Sequence, residues 1–501
     1  MKKYLIILSF ILSFGCKAEK LPNIVVIMAD DIGLGDVSHH VRTFMNREPI
    51  FETPAIDSLA RDGMWFTDGH SATSLCSPTR YCVMTGKNNY HSVAPWGVWN
   101  SFSESPIKPT DQTISSILKK ANYSTGFIGK WHLGGDFQLK DSDAFFRESH
   151  LGVKPDKIDL TKMVGGGPQS FDFDYSFTLP CGIQGPLYLA YEKSEWYRLS
   201  KKSKIVYLNN ENSINPDDLT SKGPGPGDSY WNAKDIGKII SKKAVEFINY
   251  HAKKDPFFLY YCSPMPHKPH CPPEYFDGKK VAGTTPSVHL DCVVDLDCQI
   301  NRIILALKQN DIYENTLIIF MSDNGGLPNI SSKESRLPYN SSGGYSGAKN
   351  SPLEGGHRVP FIAVWPQKIK PNTVSHELVV NTDLLATFAS LVNRPLSDED
   401  VVDSNNLMPL FINPMKYQKR NIALLQAGSN CEVLYRKEGY KLIIQSDWNL
   451  SKWNPVALYD LNENKIESPQ NNKIYDKSHK LLVDTMLHEY LDIRNSKKVS
   501  K

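Results

Sequence analysis

The sequence carries little net charge and lacks the features that favour a nucleic-acid partner. Its 57 lysines and arginines stand against 54 acidic residues, a formal net charge of only +3, and no long basic run follows the amino-terminal segment. Nucleic-acid binders usually concentrate basic residues on one face. None of the nine cysteines forms a C-x-x-C pair, which argues against a zinc ribbon, and the chain has no internal repeat. We therefore expect a globular protein with no nucleic-acid partner.

The amino terminus has no apolar run long enough to cross a membrane. Lys2 and Lys3 precede "YLIILSFILSF", which stops at Gly15 and Cys16, short of the roughly 20 residues that a spanning helix needs. This pattern is typical of a secretory signal, to which we assign residues 1–16. Its ending resembles the bacterial lipobox, which implies a lipid anchor at Cys16 and a location in the periplasm or at the outer membrane or cell surface. An ordinary cleaved signal with an incidental cysteine is the alternative.

Several near-continuous apolar runs predict strands that are buried on both faces. They are "NIVVIMA", "TGFIG", "FFLYY", "LIIFM" and "VPFIAVW". Runs without polar alternation are typical of parallel strands covered by helices. Amphipathic helices alternate with them, as in "TPAIDSLARDG", where Thr53 is the N-cap, Pro54 opens the first turn and Gly63 stops the helix. We predict an α/β fold in which helices flank a large, mostly parallel sheet.

Two stretches depart from this alternation of strand and helix. Between about 140 and 230 the chain becomes polar and rich in Gly and Pro, from "VGGGPQS" to "SKGPGPGDSYW", and we predict an insertion there. After about residue 410, "EVLYRKEGYKLIIQ" predicts two strands around a Glu-Gly turn and "SHKLLVDTMLHEYLDI" predicts a closing helix. We expect a large domain over 21–409 and a smaller α+β subdomain over 410–501.

Polar residues directly follow four of the predicted strands. They are Asp30 and Asp31, Lys130 and His132, His267, and Asp323 and Asn324. The carboxyl ends of strands share one edge of an open α/β sheet, which is where such folds build their sites. Three carboxylates and an amide crowded together repel one another unless a cation lies among them, and oxygen donors select a hard ion such as Ca²⁺ or Mg²⁺. The histidines lack the helical spacing of a zinc site, so we expect them to be acid–base groups.

Cys76 precedes a proline and an arginine at a predicted helix start. Pro78 suits the first turn of a helix through "TRYCVMTG", which puts the thiol where free N–H groups and the helix dipole favour anions. One interpretation is a thiolate nucleophile activated by the helix end and Arg80. Another is a disulfide with Cys82, for which the geometry is poor. Two further pairs are candidate disulfides: Cys262 with Cys271, and Cys292 with Cys298.

The stretch "LCSPTRYCVMTGK" contains the C-x-P-x-R signature of the type I sulfatases, the formylglycine-dependent branch of the alkaline phosphatase superfamily. The chain resembles that family well beyond this signature. Five more blocks look like the family's own and stand in its order: "MADDIGLGD", "GKWHLG", "PHKP", "MSDNGG" and "GAKNSPLEGGHRVP". The resemblance runs from about residue 21 to the carboxyl terminus and is weakest in the insertion and the subdomain. It implies an alkaline phosphatase-like fold with the catalytic site in the domain over 21–409.

The resemblance also implies a modified residue and a metal. Cys76 would be oxidised by a formylglycine-generating maturation enzyme. The hydrated aldehyde has one hydroxyl that can attack sulfur and a second whose deprotonation expels sulfate, so no water need attack the sulfated enzyme. The implied metal is Ca²⁺ in preference to Mg²⁺, and its ligands would be residue 76 with Asp30, Asp31, Asp323 and Asn324.

The remaining site residues would bind the substrate or move protons. By resemblance, Arg80 would support the hydrated aldehyde, and Lys130 and Lys349 would bind the sulfate oxygens as cations do in phosphoryl transfer. His132 would act on the diol, and His267 would protonate the leaving alkoxide.

Some of these assignments have simpler alternatives. Lys349 could be a solvated loop lysine, and His270 could replace His267, although His267 occupies the family's Pro-His-x-Pro position. His357 and Arg358, beside a Glu-Gly-Gly turn, are expected to serve that turn. Four aromatic residues of the insertion would either stack on a sugar at the rim of the site or pack the insertion against the core: Tyr188, Tyr191, Trp196 and Tyr197.

The expected protein is an exported, lipid-anchored, calcium-dependent sulfatase that acts on a sulfated carbohydrate. A phosphomonoester or phosphonate hydrolase would keep the same metal site on the same scaffold. An unmodified protein could also bind an anion without turnover. The C-x-P-x-R signature is more typical of sulfatases, and every catalytic side chain is present, so the sequence favours the sulfatase.

Overall fold

The computed structural model describes residues 20–328, 331, 333–394, 396 and 403–496. The predicted signal over 1–16 and the predicted lipid anchor at Cys16 lie outside the described residues. Within the described ranges, no helix combines the length and the apolarity needed to cross a bilayer.

The longest helices of the described chain are Ala233–His251, Val288–Gln309 and Lys480–Asn495, and the others have at most ten residues. They are α1 (Ser38–Phe44), α2 (Pro54–Asp62), α3 (Cys76–Thr85), α4 (Ile114–Lys120), α5 (Ala233–His251), α6 (Val288–Gln309), α7 (Glu354–His357), α8 (Leu384–Leu391), α9 (Met408–Ile412) and α10 (Lys480–Asn495).

The strands fall into four sheets. They are β1 (Asn23–Ala29), β2 (Met64–His70), β3 (Ser124–Lys130), β4 (Tyr175–Leu179), β5 (Ala190–Glu192), β6 (Glu195–Tyr197), β7 (Ile205–Leu208), β8 (Gly225–Asp228), β9 (Phe257–Cys262), β10 (Tyr275–Phe276), β11 (Lys279–Lys280), β12 (Thr316–Ser322), β13 (Phe361–Val364), β14 (Thr373–Val380), β15 (Ile422–Gln426), β16 (Glu432–Lys437), β17 (Tyr440–Ser446) and β18 (Trp453–Asp460).

The main sheet has ten strands in the order β14-β2-β13-β12-β1-β9-β3-β4-β5-β6. Its centre, β12-β1-β9-β3-β4, is parallel throughout. The predicted mostly parallel sheet flanked by helices is confirmed, but the parallel direction predicted for "VPFIAVW" is wrong, because β13 runs antiparallel to both of its neighbours. Burial on both faces makes a strand apolar whichever way it runs.

Side chains of the central strands alternate between two hydrophobic cores. In β1, Val26 and Met28 join the core that includes residues of α3, α4 and α8, whereas Val25 and Ile27 join the core that includes residues of α2, α5 and α6. This alternation is the two-residue period of a strand. Since helices cover both faces, no position needs a polar residue, and each large aliphatic side chain buried in this way contributes about 1.5–3 kcal/mol.

The stretch predicted as an insertion belongs in part to the main sheet. β4 pairs in parallel with β3, and β5 and β6 extend the sheet beyond it, so the predicted insertion from about 140 to 230 does not stand apart from the α/β core. Strands β4 to β6 have only three to five residues each. Strands this short, set between Gly- and Pro-rich loops, leave no recognisable periodicity in the sequence.

A second sheet, β15-β16-β17-β18, is antiparallel throughout, and α10 contributes to its hydrophobic core. The two strands predicted in "EVLYRKEGYKLIIQ" are β16 and β17. Their turn places Glu438 and Gly439 at positive φ, 51° and 86°, as a two-residue hairpin turn requires. The predicted closing helix is α10, so the smaller α+β unit of the predicted fold is confirmed.

All eight cysteines of the described chain are free and buried. The candidate disulfides Cys76 with Cys82, Cys262 with Cys271 and Cys292 with Cys298 are therefore not formed in it. Cys76 and Cys82 are six residues apart in α3, as are Cys292 and Cys298 in α6. Six residues of helix separate two Cα atoms by about 9 Å, which is beyond the reach of a disulfide.

A buried group of charged and imidazole side chains joins the two larger sheets, and we call it the charge clamp. Its members come from β2, α7 and the residue after it, the second sheet, and the loop after β18: Asp68, His70, Glu354, His357, Arg358, Arg436, Lys441 and Glu467. Three carboxylates face three cations in this group, so its formal charges cancel.

Lys441 lies at the centre of the charge clamp and is fully buried. Its Nζ lies 3.1 Å from Glu354 Oε1 and 2.6 Å from Glu467 Oε1, and it donates to His357 Nε2 at 2.9 Å. Burial and the Lys441 charge hold the pKa of His357 well below its usual value. The ring is therefore neutral at pH 7 and accepts from the lysine.

The second half of the charge clamp runs through the two histidines. Nδ1 of His357 and Nδ1 of His70 lie 2.9 Å apart, and His70 Nε2 lies 2.7 Å from Asp68 Oδ1. Arg436 donates to Asp68 at 3.0 Å, and Arg358 lies 2.6 Å from the same carboxylate oxygen. Arg358 also donates to Glu354 Oε2 of its own turn at 2.8 Å, in agreement with the predicted local role. The further partners of His357 and Arg358 are distant in sequence, and the local pattern could not reveal them.

Replacing Lys441 with methionine should destabilise the protein strongly. The change leaves Glu354 and Glu467 buried without their shared cation, and losing one partner of a buried ion pair costs about 3–5 kcal/mol. Denaturant unfolding followed by circular dichroism measures the loss. Lys473→Met is the matched control, because it removes an exposed ion pair with Glu463 and should stay close to wild type. Equal midpoints for the two variants would contradict the role of the charge clamp.

Candidate active site

The carboxyl ends of β1, β3, β9 and β12 meet at one edge of the main sheet, as predicted. The N–H of Asp30 donates to Met265 O, just beyond β9, and the N–H of Asp323 donates to Ala29 O, both at 3.1 Å. Asp31 has a positive φ of 71° and donates its N–H to Asp323 Oδ1 at 3.2 Å. These backbone contacts draw the predicted acidic residues together and bury them.

Cys76 is the first residue of α3 and is buried. Its Sγ lies 3.3 Å from Lys349 Nζ and 4.0 Å from Asp31 Oδ1. The predicted position at a helix start is confirmed. Burial raises the pKa of the thiol to about 12, although Lys130 and Lys349 oppose this shift. A neutral thiol at pH 7 does not fit the interpretation of Cys76 as a thiolate nucleophile.

Arg80 lies one helical turn after Cys76 and is buried. Its Nε and Nη2 donate to Asp323 Oδ2 at 3.1 and 2.7 Å, and its Nη1 donates to Lys130 O at 2.8 Å. The guanidinium therefore fixes the start of α3 against the ends of β3 and β12. Burial opposes the charge of Arg80, but Asp323 and Asp30 raise its pKa above the usual value, so it stays protonated.

Two lysines complete the charge balance. Lys130 Nζ lies 2.6 Å from Asp30 Oδ2, and Lys349 Nζ lies 2.6 Å from Asp31 Oδ1. Only 16% of the Lys349 side chain is exposed, so the alternative of a solvated loop lysine is wrong. Each lysine is thus held beside Cys76 by a carboxylate and can reach an anion bound there.

The donor set at this edge fits a hard divalent cation. Ligand atoms of Asp30, Asp31, Cys76 and Asp323 all lie within 4.8 Å of one another. Asp30 Oδ1 and Asn324 Oδ1 are buried and have no hydrogen-bond partner among the described residues. The Asn324 amide is held by donating to Asp31 Oδ1 and Gly325 O at 2.8 and 2.9 Å. Unpartnered buried oxygens are rare. Oxygen donors of this kind suit Ca²⁺ or Mg²⁺.

The pKa of Asp323 also agrees with a cation site. Burial and the neighbouring Asp30 raise the pKa of Asp323 to about 6, even though Arg80 and Lys130 act against the shift. A divalent cation bound beside Asp323 would favour the ionised form of this carboxyl.

His267 and His132 both border this cluster. His267 Nδ1 donates to Lys268 O at 2.7 Å, so Nε2, 4.0 Å from Asp31 Oδ2, is the nitrogen that faces the site. His132 is buried at a positive φ of 58°, and within the described part of the chain its Nδ1 has no hydrogen-bond partner. Burial and Lys130 lower the pKa of both rings, that of His267 to about 3.

His270, the alternative to His267, lies farther from the cluster. Its ring packs against His289 at a centroid distance of 5.1 Å, and the contact to Asp31 belongs to His267. The choice of His267 agrees with this geometry.

Sequence reasoning missed two residues that position the site. Ser77 Oγ donates to His132 O at 2.8 Å and accepts the Trp99 N–H at 3.1 Å, which fixes the histidine beside α3. Gly129 has φ of +114°, and a Cβ there would lie 1.9 Å from Cys262 O. Ser77 lies inside the "CSPTR" signature, but nothing local to the sequence reveals its partners.

Known proteins resemble this chain in sequence and in structure. The sulfatase family model matches residues 22–393. An N-acetylgalactosamine-6-O-sulfatase of Bacteroides thetaiotaomicron is 30% identical over 86% of this chain and 84% of its own length. A steryl-sulfatase of Rattus norvegicus is 27% identical over 81% and 74%. A solved structure from the metabolism of multiple glycosaminoglycans by Bacteroides thetaiotaomicron, 27% identical, has a TM-score of 0.78 and covers 95% of this chain and 100% of that one.

This chain belongs to the sulfatase family. The resemblance drawn from the sequence motifs is confirmed, and the protein is a sulfuric ester hydrolase of the alkaline phosphatase-like fold. Sulfatases of this family generally use formylglycine and a divalent metal, and the oxygen-rich cluster of this sulfatase fits such a metal.

Asp323→Ala should remove both bound metal and activity. The change deletes a carboxylate from the oxygen cluster and the partner of Arg80, so we expect sulfatase activity to fall by at least about 100-fold. Elemental analysis of the purified protein and an aryl sulfate assay measure the two effects. Asp297→Asn is the matched control, since Asp297 is also buried but accepts from the start of α2. An Asp323→Ala protein with full metal content and rate would refute the assignment.

Proposed function

We propose that this sulfatase hydrolyses a sulfate ester on a carbohydrate, with formylglycine derived from Cys76 and with Ca²⁺ held by Asp30, Asp31, Asp323 and Asn324. The observation that carries the proposal is the position of Cys76 at the start of α3, with Lys349 Nζ 3.3 Å from its sulfur. A sulfate bound there would face free N–H groups and two lysines. A thiol with a pKa of about 12 is a poor nucleophile, which favours Cys76 as the precursor of another group.

In the proposed reaction, residue 76 supplies the reacting hydroxyls and its cationic neighbours bind the sulfate. Hydrated formylglycine supplies one hydroxyl for attack on sulfur and a second whose deprotonation expels sulfate. Lys130 and Lys349 would bind the sulfate oxygens and stabilise the charge that spreads over them in a loose transition state. Arg80, already bound to Asp323, would support the hydrate from the side of α3.

The two histidines would move the protons. His132 is neutral at pH 7 because burial and Lys130 lower its pKa, so its unpartnered ring can accept a proton from the hydrate. His267 presents Nε2 toward the site; once the ring has taken up a proton from solvent at Nε2, it would pass that proton to the leaving oxygen, a contribution of about 10²- to 10⁴-fold. Bound sulfate would offset the two lysine charges that depress the pKa of His267.

Ca²⁺ is the proposed ion because the site offers mainly protein oxygens. Asp30, Asp31, Asp323 and Asn324 converge from the ends of two strands. Ca²⁺ accepts six to eight oxygen ligands in flexible geometry, whereas Mg²⁺ demands a near-ideal octahedron and usually retains several waters. An irregular cluster of carboxylate and amide oxygens therefore favours the larger ion.

A carbohydrate is the proposed substrate class. The relative with 30% identity is an N-acetylgalactosamine-6-O-sulfatase, and the structure with a TM-score of 0.78 comes from glycosaminoglycan metabolism. The steryl-sulfatase relative is slightly less similar, at 27%. N-acetylgalactosamine 6-sulfate is therefore the first saccharide to test.

The proposed location is the periplasm or the outer membrane or cell surface, with a lipid anchor at Cys16. Support comes from the two lysines, the short apolar run and the Gly-Cys ending of residues 1–16. A sulfatase of large carbohydrates must meet its substrate outside the cytoplasm, which agrees with export.

Cys76→Ser should abolish turnover of sulfate esters, because a serine sulfate has no second hydroxyl to drive elimination. Peptide mass spectrometry with an aldehyde-reactive probe should find formylglycine at position 76 of active wild-type protein. Cys298→Ser, at a buried cysteine of α6, is the matched control and should keep activity.

The wild-type protein should be assayed on N-acetylgalactosamine 6-sulfate, an aryl sulfate and the matching phosphate esters. A preference for the phosphate esters would favour a phosphohydrolase on the same scaffold. Binding without turnover by a protein that retains free Cys76 would favour an anion receptor. Full sulfatase activity with only a thiol at position 76 would refute the mechanism.

Cys16→Ser should release the protein from the membrane fraction of cells that export it. Lipidation needs the cysteine sulfur, whereas an ordinary cleaved signal does not. Fractionation followed by immunoblotting measures the distribution. An unchanged distribution for Cys16→Ser would leave the cleaved signal with an incidental cysteine as the correct interpretation.

A further inference from the structure

The aromatic residues predicted to stack on a sugar are mostly turned inward. Tyr188 and Tyr191 are fully buried, and their hydroxyls donate to Gly223 O and Leu160 O at 2.6 and 3.0 Å. Trp196 packs on a hydrophobic core beside Arg198, and Tyr197 contacts Phe177. The contacts of these four rings are with the protein itself, and they support the fold at the edge of the main sheet.

One end of the second sheet lies against the segment that leads to Cys76. At the end of β15, the N–H of Gln426 donates to Ala72 O at 3.0 Å, and the N–H of Ser74 donates to Gln426 O at 2.9 Å. Only Leu75 separates Ser74 from Cys76. The carboxyl end of β15 therefore lies beside the catalytic helix start.

The turn between β15 and β16 also reaches the sulfate-binding lysine. Asn350, the neighbour of Lys349, accepts the Ser429 N–H at 2.8 Å on Oδ1 and donates through Nδ2 to Ser429 Oγ at 3.0 Å. The N–H of Asn350 also donates to Ser74 O at 2.8 Å. This turn therefore forms part of the wall of the site on the Lys349 side.

A second turn of the same sheet lies beside the first. Gln445 Nε2 donates to Asn430 O at 2.7 Å, and the Ser446 N–H donates to Cys431 O at 2.8 Å. The chain then turns at Asp447, whose carboxylate accepts the Ser451 N–H at 2.6 Å. These bonds fix the turn that carries the next residue, Trp448.

Trp448 is 64% exposed. The flat apolar face of its indole matches the C–H face of a pyranose ring, and the turn holds this ring at the end of the second sheet that adjoins the site. Trp453, the other tryptophan beside this turn, packs on Tyr490 and the core of the second sheet. Trp448 is therefore an exposed ring at the end of the second sheet that adjoins the site.

We propose that Trp448 is a specificity-determining residue that stacks on the sugar next to the sulfated one, so that the natural substrate is an oligosaccharide or a longer chain. This inference rests on the proposed carbohydrate sulfatase activity and adds a second subsite to it. The sulfate is bound by residues of the main sheet, and the neighbouring sugar is bound by a turn of the second sheet.

The test compares kinetics on three substrates with matured enzyme: a tetrasaccharide ending in N-acetylgalactosamine 6-sulfate, the matching monosaccharide, and 4-nitrophenyl sulfate. Trp448→Ala should raise KM for the tetrasaccharide about three- to tenfold, the range expected for one aromatic stacking contact, and leave kcat little changed. Kinetics on the monosaccharide and the aryl sulfate should not change. Trp448→Phe should keep most of the tetrasaccharide affinity.

Tyr475→Ala is the matched surface control. Tyr475 is 92% exposed and precedes His479, which packs on Tyr440 at the start of β17, the opposite end of the second sheet from Trp448. This variant should match wild type on every substrate. Melting temperatures of all variants should agree within the error of the measurement.

Two outcomes would overturn the inference while leaving the proposed function intact: an unchanged KM for the tetrasaccharide in Trp448→Ala, or an equal loss on all three substrates. Failure of the proposed function has a different signature, because wild-type enzyme with verified formylglycine would then not turn over any of the three sulfate esters.

Discussion

Three carboxylates lie side by side in the interior of this protein, and the surrounding structure offsets the free energy that their burial costs. Two adjacent strands carry these carboxylates: Asp30 and Asp31 follow β1, and Asp323 follows β12. Because the two strands are parallel, their carboxyl ends bring the three side chains together. Burying like charges is tolerable only if cations are fixed nearby. Arg80, Lys130 and Lys349 meet this need from a helix, a strand end and a loop distant in sequence. The same cations that stabilise the folded site are therefore available to bind an anionic ester.

The central sheet and the acidic residues could be predicted from sequence because their signals are local. β1 is apolar in every position after its first residue, and Asp30 follows without a gap, so both the strand and the strand-end site can be inferred from adjacent letters. Cys76 and Pro78 indicate a helix start in the same way. The direction of β13 is different, because it depends on which neighbour the strand pairs with, and no residue within Phe361–Val364 encodes that choice.

Partners distant in sequence account for most of what the sequence did not reveal. Lys441 stands in "GYKLII" as an alternating polar position of a strand and would be expected to face water, yet it is fully buried because Glu354 and Glu467 meet it there. Tyr191 has an aromatic ring of the kind that stacks on sugars, but it is buried in a hydrophobic core beside Phe137. In both cases burial is decided by tertiary packing rather than by the residue's own character.

The charge clamp has a consequence for the order in which the chain can complete its fold during synthesis. Arg436 and Lys441 leave the ribosome long after Asp68 and Glu354, which cannot be buried favourably until those cations arrive. The segment from Asp68 to Cys76 is bonded to residues of the second sheet at Gln426, so it too waits for late parts of the chain. Cys76 is nearly inaccessible once the fold is complete. The maturation enzyme proposed to oxidise this sulfur would therefore need to reach it before the carboxyl-terminal strands dock.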